Sequence, residues 1–354
     1  MLYETDSRKV KNGQIFVALK GHTVDGHDYI ENAIKNGAIK VIAEKEVNCS
    51  VPVEIVPSTE EYLKHALKDA YADKVNKLKI IGITGTNGKT TTAYLTYQLL
   101  NLLGEKCGYL GTLGFKYNDI VEETDNTTPN ILVLYSLLLR LVDEGCQTVV
   151  MEISSHALSF ERMYGLHFDA VAFTNLTEDH LDYHKTMENY LNAKLKIIDY
   201  LVPNGKLIVN GDDEASQKFI DKFHKGVRIG FDPSYDYYIK NTNITPSKTN
   251  IEFIYNDKEY QVTTNLTSKF NVYNYITALA IVNSLGYDIE AIINETYKLH
   301  APKGRCETHK VNGGYAVIDY AHTPDAVEKV IAAYNELKTN RVITIVGCGG
   351  DPEV

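Results

Sequence analysis

The stretch that most constrains this chain is KIIGITGTNGKTTTAYLTYQLLNLL (79–103). A short apolar run delivers the backbone to Gly85 and Gly88, and a helix-forming sequence leaves from Lys89. Glycines at such a junction let successive N–H groups turn inward around phosphate oxygens, and the helix N-terminus adds partial positive charge. The segment Gly85, Thr86, Asn87, Gly88, Lys89, Thr90 and Thr91 therefore predicts a phosphate cradle. Lys89 would reach the β- and γ-phosphates of a nucleotide, and the Thr90 hydroxyl would hold Mg²⁺. The strict GxxxxGK[ST] pattern is missed because Ile83 stands at its first position. The bland alternative is a glycine-rich strand–helix turn with no ligand, but strand, loop, Lys-Thr pair and helix all coincide here.

Around this junction, apolar runs alternate with helical stretches. TVVMEI (148–153), FDAVAFT (168–174) and KLIVN (206–210) read as strands, which predicts an α/β fold with a mostly parallel sheet covered on both faces. Residues 235–266, with β-branched and aromatic residues alternating with polar ones, read as antiparallel strands appended to that sheet. Two helices follow, near 271–285 and 288–299, with Gly286 at the turn. Before the junction, residues 1–78 read as a small α/β domain with strands at 15–19, 39–43 and 53–56. There, Ser58 and Glu61 form a capping box opening a helix whose apolar face is Tyr62, Leu63, Ala66, Leu67, Ala70 and Tyr71. Residues 73–79 read as a hinge. After it come a central domain, 79–302, and a last segment, 303–354. The last contains strands at 315–321 and 341–347 and a helix with Val327, Val330, Ile331 and Tyr334 on one face. Two strands and one helix cannot close a core, so this segment reads as an incomplete third domain.

Composition narrows the function classes. With 354 residues and a formal net charge of −10, the chain is a poor candidate for a broad nucleic-acid or anionic-membrane surface. Its five cysteines (Cys49, Cys107, Cys146, Cys306 and Cys348) never form a CxxC pair, which suits a reducing cytoplasm and suggests no disulfide framework. The start, MLYETDSRKVKNGQ, lacks the apolar region of a signal peptide, and the longest apolar run, ILVLYSLLL, stops at Arg140. A cytoplasmic monomer without membrane insertion is expected.

A second constellation spans 152–194. Glu152 ends one apolar strand, and His180 follows the end of another. In a parallel sheet, strand C-termini share the edge on which ligands bind, so Glu152 and His180 are expected to converge on the Mg·nucleotide. Taken singly, Glu152 also reads as a solvated strand end and His180 as a capping or core histidine.

Together, DSRKV and GH near the start, TGTNGKTT, DNTTP (125–129), MEISSHAL, FTNLTEDHLDYH, YLNAK, FNVYN (270–274), GRCE (304–307), DYAHTPDA and GCGGD resemble the Mur ligases, in family order. The nearest likeness is to the branch that adds the third amino acid, L-lysine or meso-diaminopimelate, to the peptidoglycan stem peptide. That resemblance implies a three-domain architecture and ATP-dependent ligation to UDP-N-acetylmuramoyl-L-alanyl-D-glutamate through an acyl phosphate, with ATP and Mg²⁺ as cofactors. It implies that Lys194 becomes a carbamate and metal ligand with His180 as its partner, while Glu152 and Thr90 serve the metal at the phosphates. Asn126, Thr127, Thr128, Ser154 and Arg162 match contacts to the muramoyl substrate, and Ser7 and His22 match the uridine pocket. Asn271 and Asn274 match nucleotide-binding asparagines, although either also suits an N-cap. Arg305 and Asp319 match groups that close over ATP, although Arg305 could simply pair with Glu307. With a third domain this short, substrate binding is expected to exceed turnover. The alternatives are a non-catalytic binding paralogue, or another Mur-type ligase such as folylpolyglutamate synthase, which lacks a UDP-binding domain.

Overall fold

In the computed structural model, which describes residues 1–21, 24–322 and 324–347, the chain forms two compact units. The first comprises 1–78 together with 129–145 and 160–166; the second holds the remainder. His22 and residues 348–351 of GCGGD lie outside the described residues.

The first unit is built on a four-stranded parallel sheet in sequential order, β1 (Tyr3–Glu4), β2 (Ile15–Val17), β3 (Lys40–Ala43) and β4 (Val53–Ile55). Helix α1 (Ile30–Lys35) makes the crossover from β2 to β3 and ends before Gly37, whose φ of +106° suits glycine. Phe16, Ala18, Ile30, Ala33, Val41 and Ala43 form its core. Helix α2 (Thr59–Val75) begins where Ser58 predicts, with the Ser58 hydroxyl accepting from Glu61 N at 3.2 Å. The reciprocal half of the capping box does not form. Glu61 Oε1 instead accepts from Lys64 Nζ at 2.8 Å, because this buried ammonium gathers Glu60, Glu61 and Glu161 around it. Buried charge demands counter-charge more strongly than a surface N–H demands a cap. The apolar face is also narrower than expected: Leu63 and Leu67 are buried, but Ala70 is exposed. The expected hinge is shorter than its sequence suggests: α2 runs to Val75 and β5 begins at Lys79, which leaves only 76–78 between them.

The second unit contains an eleven-stranded sheet. Its strands are β5 (Lys79–Thr84), β6 (Cys107–Gly111), β7 (Gly114–Tyr117), β8 (Ile120–Glu122), β9 (Thr148–Glu152), β10 (Phe168–Phe173), β11 (Leu201–Asn210), β12 (Val227–Gly230), β13 (Tyr237–Ile244), β14 (Thr249–Tyr255) and β15 (Lys258–Thr264). The spatial order is β15-β14-β13-β12-β11-β10-β5-β9-β6-β7-β8. Pairing is parallel from β13 through β6, and antiparallel at both flanks. The expected antiparallel appendage at 235–266 is present. The hairpin strands β7 and β8 at the opposite edge carry no comparable alternation.

Helix α3 (Lys89–Leu102) leaves the glycine loop, and α4 (Ile131–Asp143) belongs to the first unit. Short helices α5 (Ser155–Ser159), α6 (Leu181–His184) and α7 (Met187–Leu195) follow the ends of β9 and β10, and α8 (Ser216–Phe223) follows β11. Helix α9 (Lys269–Ser284) is buried on nearly every side because it packs on α3, β11 and β12 at once; α10 (Ile289–Glu295) follows it.

The last segment forms a hairpin of β16 (Glu307–Val311) and β17 (Gly314–Ile318), then α11 (Pro324–Leu337). The expected strand at 341–347 is not formed: all of these residues but Val342 are exposed, Ile345 among them, and they pair with no described strand. Helix α11 does carry Val327, Val330, Ile331 and Tyr334. All four are half-buried, and the Tyr334 hydroxyl lies 2.8 Å from Thr267 Oγ1. No helix among the described residues is long and apolar enough to cross a membrane.

Candidate active site

The loop between β5 and α3 is held in shape from below by the end of β10. Thr86 N donates to Asn175 O at 2.8 Å, Asn87 N to Asn175 Oδ1 at 2.9 Å, and Thr174 Oγ1 to Asn87 O at 2.6 Å. Thr177 N donates to Thr86 Oγ1 at 3.1 Å. Such close approach needs glycine: a Cβ at Gly85 (φ +147°) would lie 1.9 Å from Thr174 Oγ1, and one at Gly88 (φ +84°) 2.4 Å from Asn274 Oδ1. Gly88 caps α3, so the first N–H groups of that helix open at the loop.

Two lysines share one acceptor here. Lys89 Nζ donates to Gly85 O at 2.9 Å and Thr86 O at 2.7 Å, and Lys194 Nζ, on α7, donates to Gly85 O at 2.7 Å. Lys194 is only 1% exposed and lies 4.2 Å from the centre of the Tyr190 ring. Burial, followed by the neighbouring charge of Lys89, pushes the Lys194 ammonium well below the ordinary lysine range. Burial also lowers Lys89, against the opposing pull of Glu152 and Asp179.

Glu152 is not a solvated strand end. It is 1% exposed and its carboxylate takes four donors. Oε2 accepts from Thr90 Oγ1 at 2.8 Å and Thr112 Oγ1 at 3.2 Å; Oε1 accepts from Thr112 N at 2.8 Å and from the Tyr109 hydroxyl. A separate cluster of side chains is imidazole-rich. His180, at φ +54° before α6, sits with its ring 5.0 Å from that of His156 and 6.2 Å from that of Tyr190. His184 is buried, with Nε2 2.9 Å from Ser155 Oγ. Burial, then the charges of His156, Lys194 and His180, lowers its pKa.

The asparagines of α9 are not N-caps. Asn271 Nδ2 donates to Thr267 O at 2.8 Å, Asn274 Nδ2 donates to Asn271 Oδ1 at 3.0 Å, and Asn274 Oδ1 accepts from Thr92 Oγ1 at 3.2 Å, against the loop helix. Thr128 Oγ1 donates to Glu152 O at 2.7 Å and accepts from Ser154 N at 3.1 Å, which ties the DNTTP loop to the end of β9. Ser154 Oγ accepts from Ala157 N at 3.2 Å; Thr127 Oγ1 lies 3.2 Å from Thr112 Oγ1; Asn126 is exposed. Arg305 does not pair with Glu307, whose carboxylate takes Gly304 N and His309; its guanidinium lies 5.0 Å from the Tyr320 ring centre. Asp319 accepts from Cys306 N and Ala321 N, each at 2.8 Å. Thr91 is buried on α3.

Two of the expected substrate residues belong to the first unit. Ser7 is buried, its hydroxyl accepting from Asn32 Nδ2 at 3.0 Å, and Arg162 lies over the Phe160 ring at 5.8 Å. Sequence reasoning passed over Tyr109 and Thr112, because a tyrosine and a threonine in CGYLGT carry no local signal of a carboxylate 40 residues on. Thr174, Asn175 and Tyr190 stand inside quoted motifs, but their support of the loop is visible only in three dimensions.

Residues 2–81 match the Mur ligase family catalytic domain, 83–282 the Mur ligase middle domain, and 304–353 the Mur ligase glutamate ligase domain. The UDP-N-acetylmuramoyl-L-alanyl-D-glutamate–2,6-diaminopimelate ligase of Bacillus licheniformis is 39% identical over 358 residues, covering 98% of this chain and 73% of that protein. A solved structure of a UDP-N-acetylmuramoyl-L-alanyl-D-glutamate–2,6-diaminopimelate ligase superposes with a TM-score of 0.81 at 31% identity, over 99% of this chain and 73% of the other. MurF ligase of Thermotoga maritima, solved in complex with ADP, shares the fold at a TM-score of 0.71 and 23% identity, over 94% of this chain and 74% of that one. A buried carboxylate, a glycine-loop lysine and a second buried lysine thus stand on a scaffold matched along nearly its whole length, and the chain belongs to the Mur ligase family.

Proposed function

We propose that this chain is an ATP-dependent, ADP-forming ligase that joins meso-diaminopimelate to UDP-N-acetylmuramoyl-L-alanyl-D-glutamate in peptidoglycan synthesis. The observation that carries the reading is the gathering of Lys89, Thr90, Glu152 and Lys194 around one glycine loop. The names of the relatives support diaminopimelate over L-lysine as the amine. The family matches support a division of labour in which 1–78 binds the UDP end, 79–302 binds ATP, and 303–354 begins the amino-acid domain.

In this mechanism a substrate carboxylate oxygen attacks the γ-phosphorus, the bond to the β,γ-bridging oxygen breaks, and ADP leaves. The amine nitrogen then attacks the acyl carbon, loses a proton, and inorganic phosphate departs as the amide forms. Positioning and charge neutralisation do most of the work in phosphoryl transfer. Lys89 orients the β- and γ-phosphates, while the free N–H groups of the first turn of α3 cradle them. The pair Thr90 Oγ1 and Glu152 Oε2, 2.8 Å apart and both hard oxygen donors, fits Mg²⁺. Mg²⁺ supplies charge that offsets the repulsion between carboxylate and triphosphate. Lys194 fits a carbamate: burial favours its neutral amine, the form that adds CO₂ with loss of a proton and becomes an oxygen donor. His180 would stand with it. Asn271, Asn274, Arg305 and Asp319 would hold the nucleotide. Asn126, Thr127, Thr128, Ser154 and Arg162 would hold the muramoyl peptide, and Ser7 and His22 the uridine.

The test is ADP and amide formation by the protein with Mg·ATP and UDP-N-acetylmuramoyl-L-alanyl-D-glutamate, with meso-diaminopimelate, L-lysine or no amine. Product with diaminopimelate in clear excess over lysine is expected. ADP release indifferent to the muramoyl dipeptide would overturn the reading.

A further inference from the structure

Glu152 is held asymmetrically. Its Oε1 takes a backbone N–H, from Thr112, and the Tyr109 hydroxyl, whereas both donors on Oε2 are threonine hydroxyls. A backbone N–H cannot turn away, but a threonine hydroxyl rotates freely and can present a lone pair instead of its proton. Tyr109 is equally constrained. It lies on β6 opposite Val150 of β9, is fully buried, and is edged by the rings of Tyr94 and Tyr97 at 6.1 and 6.0 Å. Gly111 completes the holder. Its φ is not in the left-handed region, so backbone freedom does not explain the glycine; a Cβ there would lie 2.2 Å from Glu152 Oε1 and 2.6 Å from the Tyr109 hydroxyl.

We propose that Tyr109, in the space Gly111 leaves open, is a positioning residue that ties up Glu152 Oε1 and so makes this carboxylate a one-oxygen ligand through Oε2, favouring Mg²⁺ over Ca²⁺. The inference rests on the reading of Thr90 and Glu152 as the metal's protein ligands. Mg²⁺ demands near-octahedral geometry with short bonds, while Ca²⁺ accepts two-oxygen carboxylate binding. Partners that orient a metal ligand are typically worth about 10–100-fold in metal affinity. With the phenol gone, the carboxylate is free to rock toward two-oxygen binding.

The experiment measures Mn²⁺ binding to the ADP-loaded protein by electron paramagnetic resonance, with Mg²⁺ and Ca²⁺ as competitors, in wild type, Tyr109→Phe and Glu152→Gln. Tyr109→Phe is expected to weaken Mg²⁺ by roughly tenfold while weakening Ca²⁺ much less. Gly111→Ala, whose Cβ would press on both Oε1 and the Tyr109 hydroxyl and part the two, should narrow the same ratio and serves if Tyr109→Phe folds poorly by circular dichroism. A loss equal for both cations would mark a merely structural tyrosine and overturn the proposal, as would no loss at all. If Glu152→Gln left Mn²⁺ binding unchanged, the assignment of the ligand itself would fall, and this inference with it.

Discussion

Gly85→Ala separates the physics of the loop from its chemistry. At φ +147°, an alanine occupies a region open almost solely to glycine, a strain of roughly 1–3 kcal/mol. The new Cβ would also stand 1.9 Å from Thr174 Oγ1 and 3.1 Å from both N and O of Asn175, so retreat is blocked by backbone. Displacing Thr174 sacrifices its 2.6 Å bond to Asn87 O, worth about 1 kcal/mol. The sum is a loss of about 2–4 kcal/mol, localised to the loop and β5. Gly85 O is the acceptor shared by Lys89 and Lys194, so both lysines shift with it. Hydrogen exchange of the β5 amides reads the local free energy, and calorimetry with ADP reads the cradle. Thr174→Ala removes the clashing oxygen, so the double variant should be less destabilised than the two singles summed, by about 1 kcal/mol. Strict additivity, or a Gly85→Ala protein within about 0.5 kcal/mol of wild type, would refute the steric argument.

Three further outcomes are expected. Lys89→Ala should lower ATP-dependent turnover by at least about a hundredfold, as loss of one transition-state donor commonly does; unchanged ligation in a steady-state ADP assay would remove the loop assignment. Lys194→Ala should be inactive and partly restored by short carboxylates, which replace the carbamate oxygens; a fully active enzyme with an unmodified lysine by intact mass would sink that role. Burial lowers the pKa of His184, so the unfolded chain binds its proton first as pH falls. The stability tied to this residue is therefore complete above pH about 6.5 and declines as pH drops below that value. His184→Asn should flatten that part of the urea-midpoint profile between pH 7 and 5.

The local features were legible because short-range physics decides them. Glycines at a strand–helix junction, Ser58 before an acidic first turn, and the two-residue alternation in 235–266 each express their structure within a few residues, and each appears where expected. The recurrence of whole motifs in family order carried the functional reading further than any single residue. What tertiary structure alone decided is which distant groups share a dielectric. Strand β9 lies between β5 and β6, so Glu152 meets Thr90 from one side and Tyr109 and Thr112 from the other, none of them near it in sequence. The buried carboxylate then needs four donors, and a lone strand end carries no hint of that demand. Lys194 reaches Gly85 O across 109 residues, and it is burial on α7, absent from the sequence pattern, that lowers its charge. Lys64 shows the same principle against the sequence: Glu61 fits a capping box, but a buried ammonium competes for it and wins, because solvation is settled by the folded neighbourhood and not by the neighbours along the chain.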